Sequence, residues 1–189
     1  PVQNLNSKMT DNLYLNAVRQ WLEKTVIGLN LCPFAKQEFL KNKIRFTVSS
    51  AATTQQLLQT LQKELTELDK NPKIETILII HPKVLQNFGD YNDFLDEVDA
   101  LLIRQDYIGT YQVASFHPNY QFAGTQAEDP ENYTNRSPFP LIHLLREKSI
   151  EQAINSYPNL EKIPERNIAL MNKIGSQTLQ EQLKACFKN

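Results

Sequence analysis

Two of the three histidines come directly before a proline at the end of a predicted strand. His81-Pro82 follows a short apolar run, and His117-Pro118 follows the run Tyr111–Phe116. A proline favours extended backbone at the residue before it and ends a strand because it has no N–H to donate. If the two strands are parallel neighbours, both histidines lie at the sheet edge where ligands of such sheets bind. His81 and His117 are therefore candidate acid/base groups, although either could be a strand-terminal residue hydrogen-bonded to a carbonyl.

The third histidine, His143, lies four residues before Glu147. Ser137 followed by a proline is a typical helix start, so the sequence predicts a helix over this segment. Its leucines would face the core, and His143 would share the opposite face with Glu147. A histidine oriented by a carboxylate can act as a general base or a metal ligand, but an exposed pair has the same spacing. His143 and Glu147 are further catalytic candidates.

The start of this predicted helix also offers an anion site. Free backbone N–H groups and the positive end of the helix dipole would lie beside Asn135, Arg136 and Ser137. Arg146, further along the helix, is a second candidate cation, and Gly124 could let the preceding loop approach a ligand or merely make a turn. These five residues are the predicted binding set for a phosphate or carboxylate. The alternative is a simple N-cap with a solvated arginine.

A metal site is a further hypothesis. His81, His117 and His143 could bind a divalent ion such as zinc or iron together with Cys32, if the fold brings all four together. Their spacing matches no local zinc-binding motif, and Cys32 stands among apolar residues where it could equally be a small buried hydrophobe. With two cysteines and no C-x-x-C, disulfides are not expected, which favours a reducing, cytoplasmic location.

Three predicted strands must position these side chains. Ile44–Val48 alternates apolar and polar residues, as a strand with one wet face or at a sheet edge does. Residues 75–80 instead have the continuous apolar run of a central parallel strand covered on both faces. Tyr111–Phe116 is the third strand, and helical patterns between the strands give β-α-β-α-β with right-handed crossovers. The predicted fold is α/β, with a small, mainly parallel three-stranded sheet in the order 1-2-3 and both crossover helices on one face.

Two connecting segments are also informative. Thr53 with Gln56 can form a capping box, which predicts the start of a crossover helix that stops at Asn71-Pro72. Residues 118–136 show little periodicity but contain many polar and aromatic residues, and long irregular segments of this kind are often functional. We expect this loop to fold back over the histidine edge.

The remaining segments are predicted to form flanking helices that cover the other face of the sheet. An N-terminal helix ends near Gly28 after a loose tail over residues 1–9. Of several C-terminal helices, one ends at Tyr157-Pro158, one runs from Pro164 to Gly175, and one begins at Ser176. The whole chain is predicted to form a single domain.

The composition disfavours several classes of function. The 20 basic and 21 acidic residues nearly balance, and no Lys/Arg block is present, so neither nucleic acid nor an anionic membrane is an expected partner. No apolar run approaches the ~20 residues of a membrane-spanning helix. The sequence also lacks a P-loop, G-x-G-x-x-G and G-x-S-x-G, which removes the usual support for nucleotide hydrolysis, dinucleotide redox chemistry and α/β-hydrolase catalysis.

Five segments carry a resemblance to a known family. They are WLEKTVIGLNLCPFA (21–35), YNDFLD (91–96), ASFHPNYQFAG (114–124), NYTNRSPFP (132–140) and HLLRE (143–147). Together they resemble an uncharacterised family of bacterial proteins of about this length, the domain of unknown function 1415. The resemblance runs from about residue 21 to residue 175. It implies a lineage but no activity, cofactor or catalytic residue.

The sequence therefore leaves two hypotheses for function. In the first, the chain is an enzyme for a small anionic metabolite, in which His117 and His81 act as acid/base groups or metal ligands and Arg136 binds the anion. In the second, it is a non-catalytic binding or interaction protein for an anionic ligand or partner segment, and the histidines complete a hydrogen-bond network. Histidines with perturbed pKa values in a deep pocket would favour the enzyme.

Overall fold

A computed structural model describes residues 2–156 and 159–188 of the chain. Within these ranges the chain forms seven α-helices and four strands. The helices are α1 (Val2–Trp21), α2 (Ala35–Leu40), α3 (Thr54–Lys70), α4 (Phe88–Arg104), α5 (Glu147–Ser156), α6 (Ile163–Ile174) and α7 (Ser176–Ala185). The strands are β1 (Ile44–Val48), β2 (Thr76–Ile80), β3 (Tyr111–Phe116) and β4 (Leu141–Arg146). A π-helix, Leu22–Ile27, continues α1.

The four strands form one mixed sheet in the order β1-β2-β4-β3. β1 pairs with β2 in parallel, and β4 runs antiparallel to both β2 and β3. The three predicted strands therefore all exist and run in the same direction, and the α/β class is confirmed. The predicted three-stranded, mainly parallel sheet is wrong, because a fourth strand lies between β2 and β3 and is antiparallel to both.

This fourth strand replaces the helix predicted to begin at Ser137. β4 is central in the sheet, and three of its apolar side chains, Leu141, Ile142 and Leu144, are completely buried. A short apolar run covered on both faces has no two-residue alternation, so periodicity alone does not distinguish it from a buried helix. The hydroxyl of Ser137 caps no helix and donates instead to the carbonyl of Phe139 at 2.7 Å.

Each face of the sheet carries its own apolar core. α3 and α4 pack on one face, where Leu57 and Phe94 belong to a cluster with Ile79 of β2. On the other face, Trp21 of α1 and Cys186 after α7 belong to a cluster with Leu78. This division confirms that both crossover helices share one face and that terminal helices cover the other.

Helix boundaries follow local signals in most places. The Thr53 hydroxyl accepts a hydrogen bond from the Gln56 amide at 3.3 Å. α3 ends at Lys70, directly before the Asn71-Pro72 pair that predicted its end. α6 and α7 confirm the two predicted helices on either side of Gly175, while the predicted end of α5 at Tyr157-Pro158 lies outside the described residues. The loose tail predicted for residues 1–9 is wrong for residues 2–9, which form the first turns of α1.

A helix that crosses a bilayer needs about 20 predominantly apolar residues. Over residues 2–156 and 159–188, no helix is both long and apolar enough to do so.

Candidate functional site

Tyr91 lies at the centre of a buried polar cluster beside the carboxyl ends of β2 and β3. Its side chain, on α4, is completely buried. The hydroxyl donates to the carbonyl of Leu141 at 2.8 Å and accepts from the amide of Phe116 at 3.0 Å, so it joins β4 to β3. Burial raises the pKa of Tyr91 above its ordinary value, so the hydroxyl stays protonated.

His81 and His117 both lie against the Tyr91 ring. The His81 and Tyr91 ring centroids are 5.8 Å apart and nearly parallel, and the His117 and Tyr91 centroids are 5.1 Å apart. The two histidines were predicted to meet because their strands were expected to pair. β4 separates those strands, and it is Tyr91 that brings the two rings to one cluster.

His81 has one ring nitrogen in use and one without a partner. Its Nδ1 is 3.1 Å from the carbonyl oxygen of Val84, and because a carbonyl only accepts, Nδ1 carries the proton. Nε2 then holds a lone pair, and it is a buried atom with no hydrogen-bond partner among the described residues. Burial, opposed by the hydrogen bond to Val84 and reinforced by neighbouring His117, lowers the pKa of His81 to about 4. At pH 7 His81 is therefore neutral and exposes a free acceptor to the interior.

His117 has the opposite tautomer, and both of its nitrogens are in use. Nδ1 accepts from the backbone amide of Asn119 at 3.0 Å, so the proton lies on Nε2, which donates to the carbonyl of Leu85 at 3.2 Å. The pKa of His117 lies below its ordinary value, mainly because the ring is buried. His117 is thus a neutral, fully hydrogen-bonded ring.

Two aromatic side chains cover this histidine cluster. Phe88 and Tyr120 have ring centroids 5.0 Å apart, and the Phe88 ring is 5.5 Å from that of His117. Tyr120 belongs to the loop over residues 118–136, whose buried Asn132 accepts from the Phe122 amide at 2.9 Å. The prediction that this loop folds back over the histidine edge is confirmed.

His143 lies on the opposite face of the sheet. In β4 it stands between Leu78 and Ala114, and its Nε2 is 2.5 Å from the Thr76 hydroxyl oxygen. That hydroxyl donates to the carbonyl of Leu144, so His143 Nε2–H must be the donor to Thr76. Burial lowers the pKa of His143 to about 4.

The predicted pair of His143 and Glu147 does not form. Its i, i+4 spacing required a helix, but His143 lies in a strand and Glu147 begins α5. The amide of Glu147 donates to the carbonyl of Thr110 at 3.0 Å. No hydrogen bond or ion pair joins the two side chains within the described parts of the chain.

The predicted anion site also lacks its helix, and Arg136 is bound to the loop. Its Nε donates to the carbonyl of Tyr120 at 3.1 Å, and Nη2 donates to that of Ala127 at 2.6 Å. The guanidinium lies 4.6 Å from the centroid of the Tyr133 ring. The helix-start geometry proposed for Arg136 is therefore wrong, because a strand and not a helix follows it.

The other predicted anion ligands are engaged in the fold as well. The side-chain amide of Asn135 donates to the carbonyl of Ser115 at 3.0 Å, and the buried Ser137 hydroxyl is bonded to Phe139. Gly124 has a φ of 83° in a turn that the Thr125 amide closes, which supports the simple turn. Arg146 donates to the carbonyls of three residues, Leu68, Asn71 and Ile74.

The four predicted metal ligands are not brought together. His81 and His117 contact Tyr91 on one face of the sheet, whereas His143 and Cys32 lie on the other. Cys32 is half-buried against the apolar cluster of that second face. In the described portion of the chain, no group of three or more His, Cys, Asp or Glu side chains could hold a metal ion.

Sequence reasoning missed Tyr91 and the turn that contains Val84 and Leu85. Tyr91 lies three residues after the start of α4 at Phe88. Its separation from either histidine along the sequence matches no motif. The turn contacts the histidines through backbone carbonyls, which any residue type supplies. Only the two His-Pro pairs and the aromatic loop gave a usable signal.

Replacing Arg136 with alanine should loosen the loop and leave the sheet intact. Two carbonyls lose a charged donor, and we expect the loop to lose roughly 1–2 kcal/mol of local stability. Limited proteolysis should then cut within residues 118–136 faster than in the wild type. Lysine at this position should restore little, because it lacks the forked donor geometry that reaches two carbonyls. Unchanged loop cleavage in the alanine variant would contradict this anchoring role.

Comparison with known proteins gives a lineage. A model of the family described as "Protein of unknown function (DUF1415)" matches residues 14–181. The match covers the histidine cluster and its covering loop, and it confirms the resemblance found in the sequence. Searches of curated proteins and of solved structures found no match. The family description states no reaction.

Proposed function

The chain belongs to the family of proteins of unknown function DUF1415, and we propose that it is an enzyme that uses His81 as a proton acceptor on a small anionic metabolite. One observation carries the proposal. His81 Nε2, at the carboxyl edge of β2, is a buried polar atom without a hydrogen-bond partner in the part of the chain that the structure describes. Buried polar groups are nearly always hydrogen-bonded, and an exception at such an edge is a candidate for contact with a ligand.

The proposed chemistry is general-base catalysis. Neutral His81 would accept a proton from the substrate at Nε2, while Nδ1–H stays bonded to the carbonyl of Val84 and holds the ring in place. The imidazolium formed would return the proton in a later step. Because His117 has both nitrogens in use, we assign it a supporting position beside Tyr91 and no proton transfer of its own.

His81 is completely buried, so access to it would require side chains around the cluster to move. Phe88 and Tyr120 are half-buried, and their mutual contact lies over the cluster. Arg136 and Arg146 are bound to carbonyls, so we assign the anionic group of the substrate to Lys83, an exposed residue two positions after His81. We also propose that the protein is bacterial, as the family resemblance implies, and that it lies in the cytoplasm, which the two free cysteines support.

His81→Asn is the sharpest test. The asparagine amide can still donate to the Val84 carbonyl, but the acceptor at the Nε2 position is lost. A panel of phosphorylated and carboxylated metabolites is incubated with the wild type, and turnover is followed by NMR. For any substrate found, we expect His81→Asn to lower kcat about a hundredfold with its melting temperature little changed, as removal of a general base does.

His143→Gln is the matched control for this experiment. It removes another neutral histidine of the sheet, and the glutamine amide can still donate to Thr76. The control should keep wild-type turnover. Equal rates for all three proteins on a confirmed substrate would refute the catalytic role of His81.

A non-catalytic binding protein is the second candidate. The observation in its favour is that the histidine cluster is closed, with His81 completely buried and His117 fully hydrogen-bonded. In that case the histidines hold the covering loop in place, and an anionic ligand or partner segment would bind outside the cluster. Binding of an anionic metabolite without turnover, unaffected by His81→Asn, would support this candidate.

A further inference from the structure

We propose that the carbonyls of Val84 and Leu85 form a clamp that sets the two histidines in opposite tautomers, and that the substrate meets His81 with a hydroxyl or N–H group. The inference rests on the proposed function, since it explains how His81 is kept as a proton acceptor. It assigns a positioning role to the turn between β2 and α4, for which the sequence offers no motif.

The clamp consists of two consecutive carbonyls that bind two different rings. The Val84 carbonyl accepts from His81 Nδ1–H at 3.1 Å, and the Leu85 carbonyl accepts from His117 Nε2–H at 3.2 Å. A carbonyl cannot donate, so each contact fixes a proton on one named nitrogen. For His81 this leaves Nε2 bare, and for His117 it leaves Nδ1 free to accept from the Asn119 amide.

The backbone of Leu85 makes this arrangement possible. In an extended chain successive carbonyls point to opposite sides. Leu85 departs from that form with a φ of 60°, in the left-handed region that a leucine rarely occupies. Its side chain packs against the core cluster beneath α4, which holds the turn in this conformation.

The tautomer of His81 determines which chemical group can face it. A bare Nε2 on a neutral ring accepts a hydrogen bond and repels the lone pairs of a phosphate or carboxylate oxygen. The atom of the substrate that meets His81 must therefore be a donor. When the O–H or N–H bond breaks, its proton moves to Nε2, its electron pair stays on the substrate atom, and the positive charge remains on the imidazolium.

Nuclear magnetic resonance measures both tautomers directly. In the full chain with ¹⁵N-labelled histidine at pH 7, we expect His81 to show Nδ1 protonated and Nε2 bare, and His117 to show the reverse. Signals are assigned with His81→Asn and His143→Gln. A wild-type spectrum in which His81 carries its proton on Nε2 would overturn the clamp.

Two substitutions of Leu85 separate its backbone from its side chain. Leu85→Gly removes the side chain but accepts a positive φ, so each histidine should keep a single tautomer. Leu85→Val keeps an apolar side chain but disfavours a positive φ, so a second tautomer should appear for His81, while the Asn119 amide still keeps the proton of His117 on Nε2. A role in packing alone predicts the reverse pattern and would overturn the proposal. Asp106→Gly changes another left-handed residue, with φ 56°, and should leave both spectra unchanged.

The clamp and the proposed function can be refuted by different results. If the tautomers are as expected but His81→Asn keeps full turnover on a confirmed substrate, the catalytic role fails and the clamp stands. If Leu85→Val does not fold, the wild-type and Leu85→Gly spectra still decide the question.

Discussion

Acidification from pH 7 to pH 5 should lower the free energy of unfolding steeply, because all three histidines are held neutral in the folded chain. Burial lowers the pKa of His81 and of His143 to about 4, and it also lowers the pKa of His117. In the unfolded chain each histidine titrates near its ordinary value of about 6.5. Between these values the unfolded chain binds more protons, so stability falls as the pH falls through about 6.5 and levels off below the folded pKa values.

The size of this effect can be estimated for His81, which is completely buried. One pKa unit corresponds to about 1.4 kcal/mol, so the fall from pH 6.5 to pH 5 should cost roughly 2 kcal/mol for this residue. His143, whose pKa is lowered equally far, should contribute a similar loss, and His117 adds to it. Urea unfolding at pH 7, 6 and 5 measures the total, in a range where most carboxylates stay ionised.

Variants assign the acid sensitivity to individual histidines. His81→Asn and His143→Gln cannot be protonated, so each should flatten the dependence of stability on pH. The double variant should retain only the contribution of His117. A wild-type free energy of unfolding that stays constant from pH 7 to pH 5 would contradict the burial of these neutral rings.

The fold could be predicted from the sequence wherever the local pattern of residue types matches the environment that each residue occupies. In β1 the apolar residues Ile44, Phe46 and Val48 pack on the face of the sheet that α1 covers, and Arg45 reaches Glu64 of α3 on the other face, so apolar and polar residues alternate in the sequence. The cap at Thr53 and the break at Asn71-Pro72 are local signals that bounded α3. β4 is different, because burial between β2 and β3 makes both of its faces apolar and removes the alternation. Its leucines have helical spacing by coincidence, and only the pairing of strands distant in sequence decides between strand and helix.

The site was predictable only in part, for a related reason. The two His-Pro pairs marked strand ends, and their meeting in one cluster could be expected from the parallel direction of β2 and β3. The residue that joins them, Tyr91, comes from a helix whose position on the sheet depends on the crossover. The free nitrogen of His81 depends on a single backbone carbonyl, and no residue type encodes that contact.

Replacing Arg146 with alanine should destabilise the protein by roughly 2–4 kcal/mol, because its guanidinium caps the end of α3. The last carbonyls of a helix have no partner within the helix. Nη2 of Arg146 donates to the carbonyl of Leu68 at 2.5 Å and to that of Asn71 at 3.2 Å, and Nε donates to that of Ile74 at 3.2 Å. Loss of one side chain thus leaves several carbonyls without a charged donor.

The control for Arg146 is Arg104→Ala, which removes an exposed arginine from the last turn of α4. An exposed cation at a helix end is worth less than about 1 kcal/mol, so this variant should unfold at nearly the wild-type urea concentration. Arg146→Lys should recover only part of the loss, since an ammonium cannot span three carbonyls with a planar fork. If Arg146→Ala instead keeps wild-type stability and weakens the binding of an anionic metabolite, the arginine belongs to the substrate site that the sequence predicted. The three carbonyl contacts argue for the first outcome, because a guanidinium committed to backbone oxygens has few donors left for a ligand.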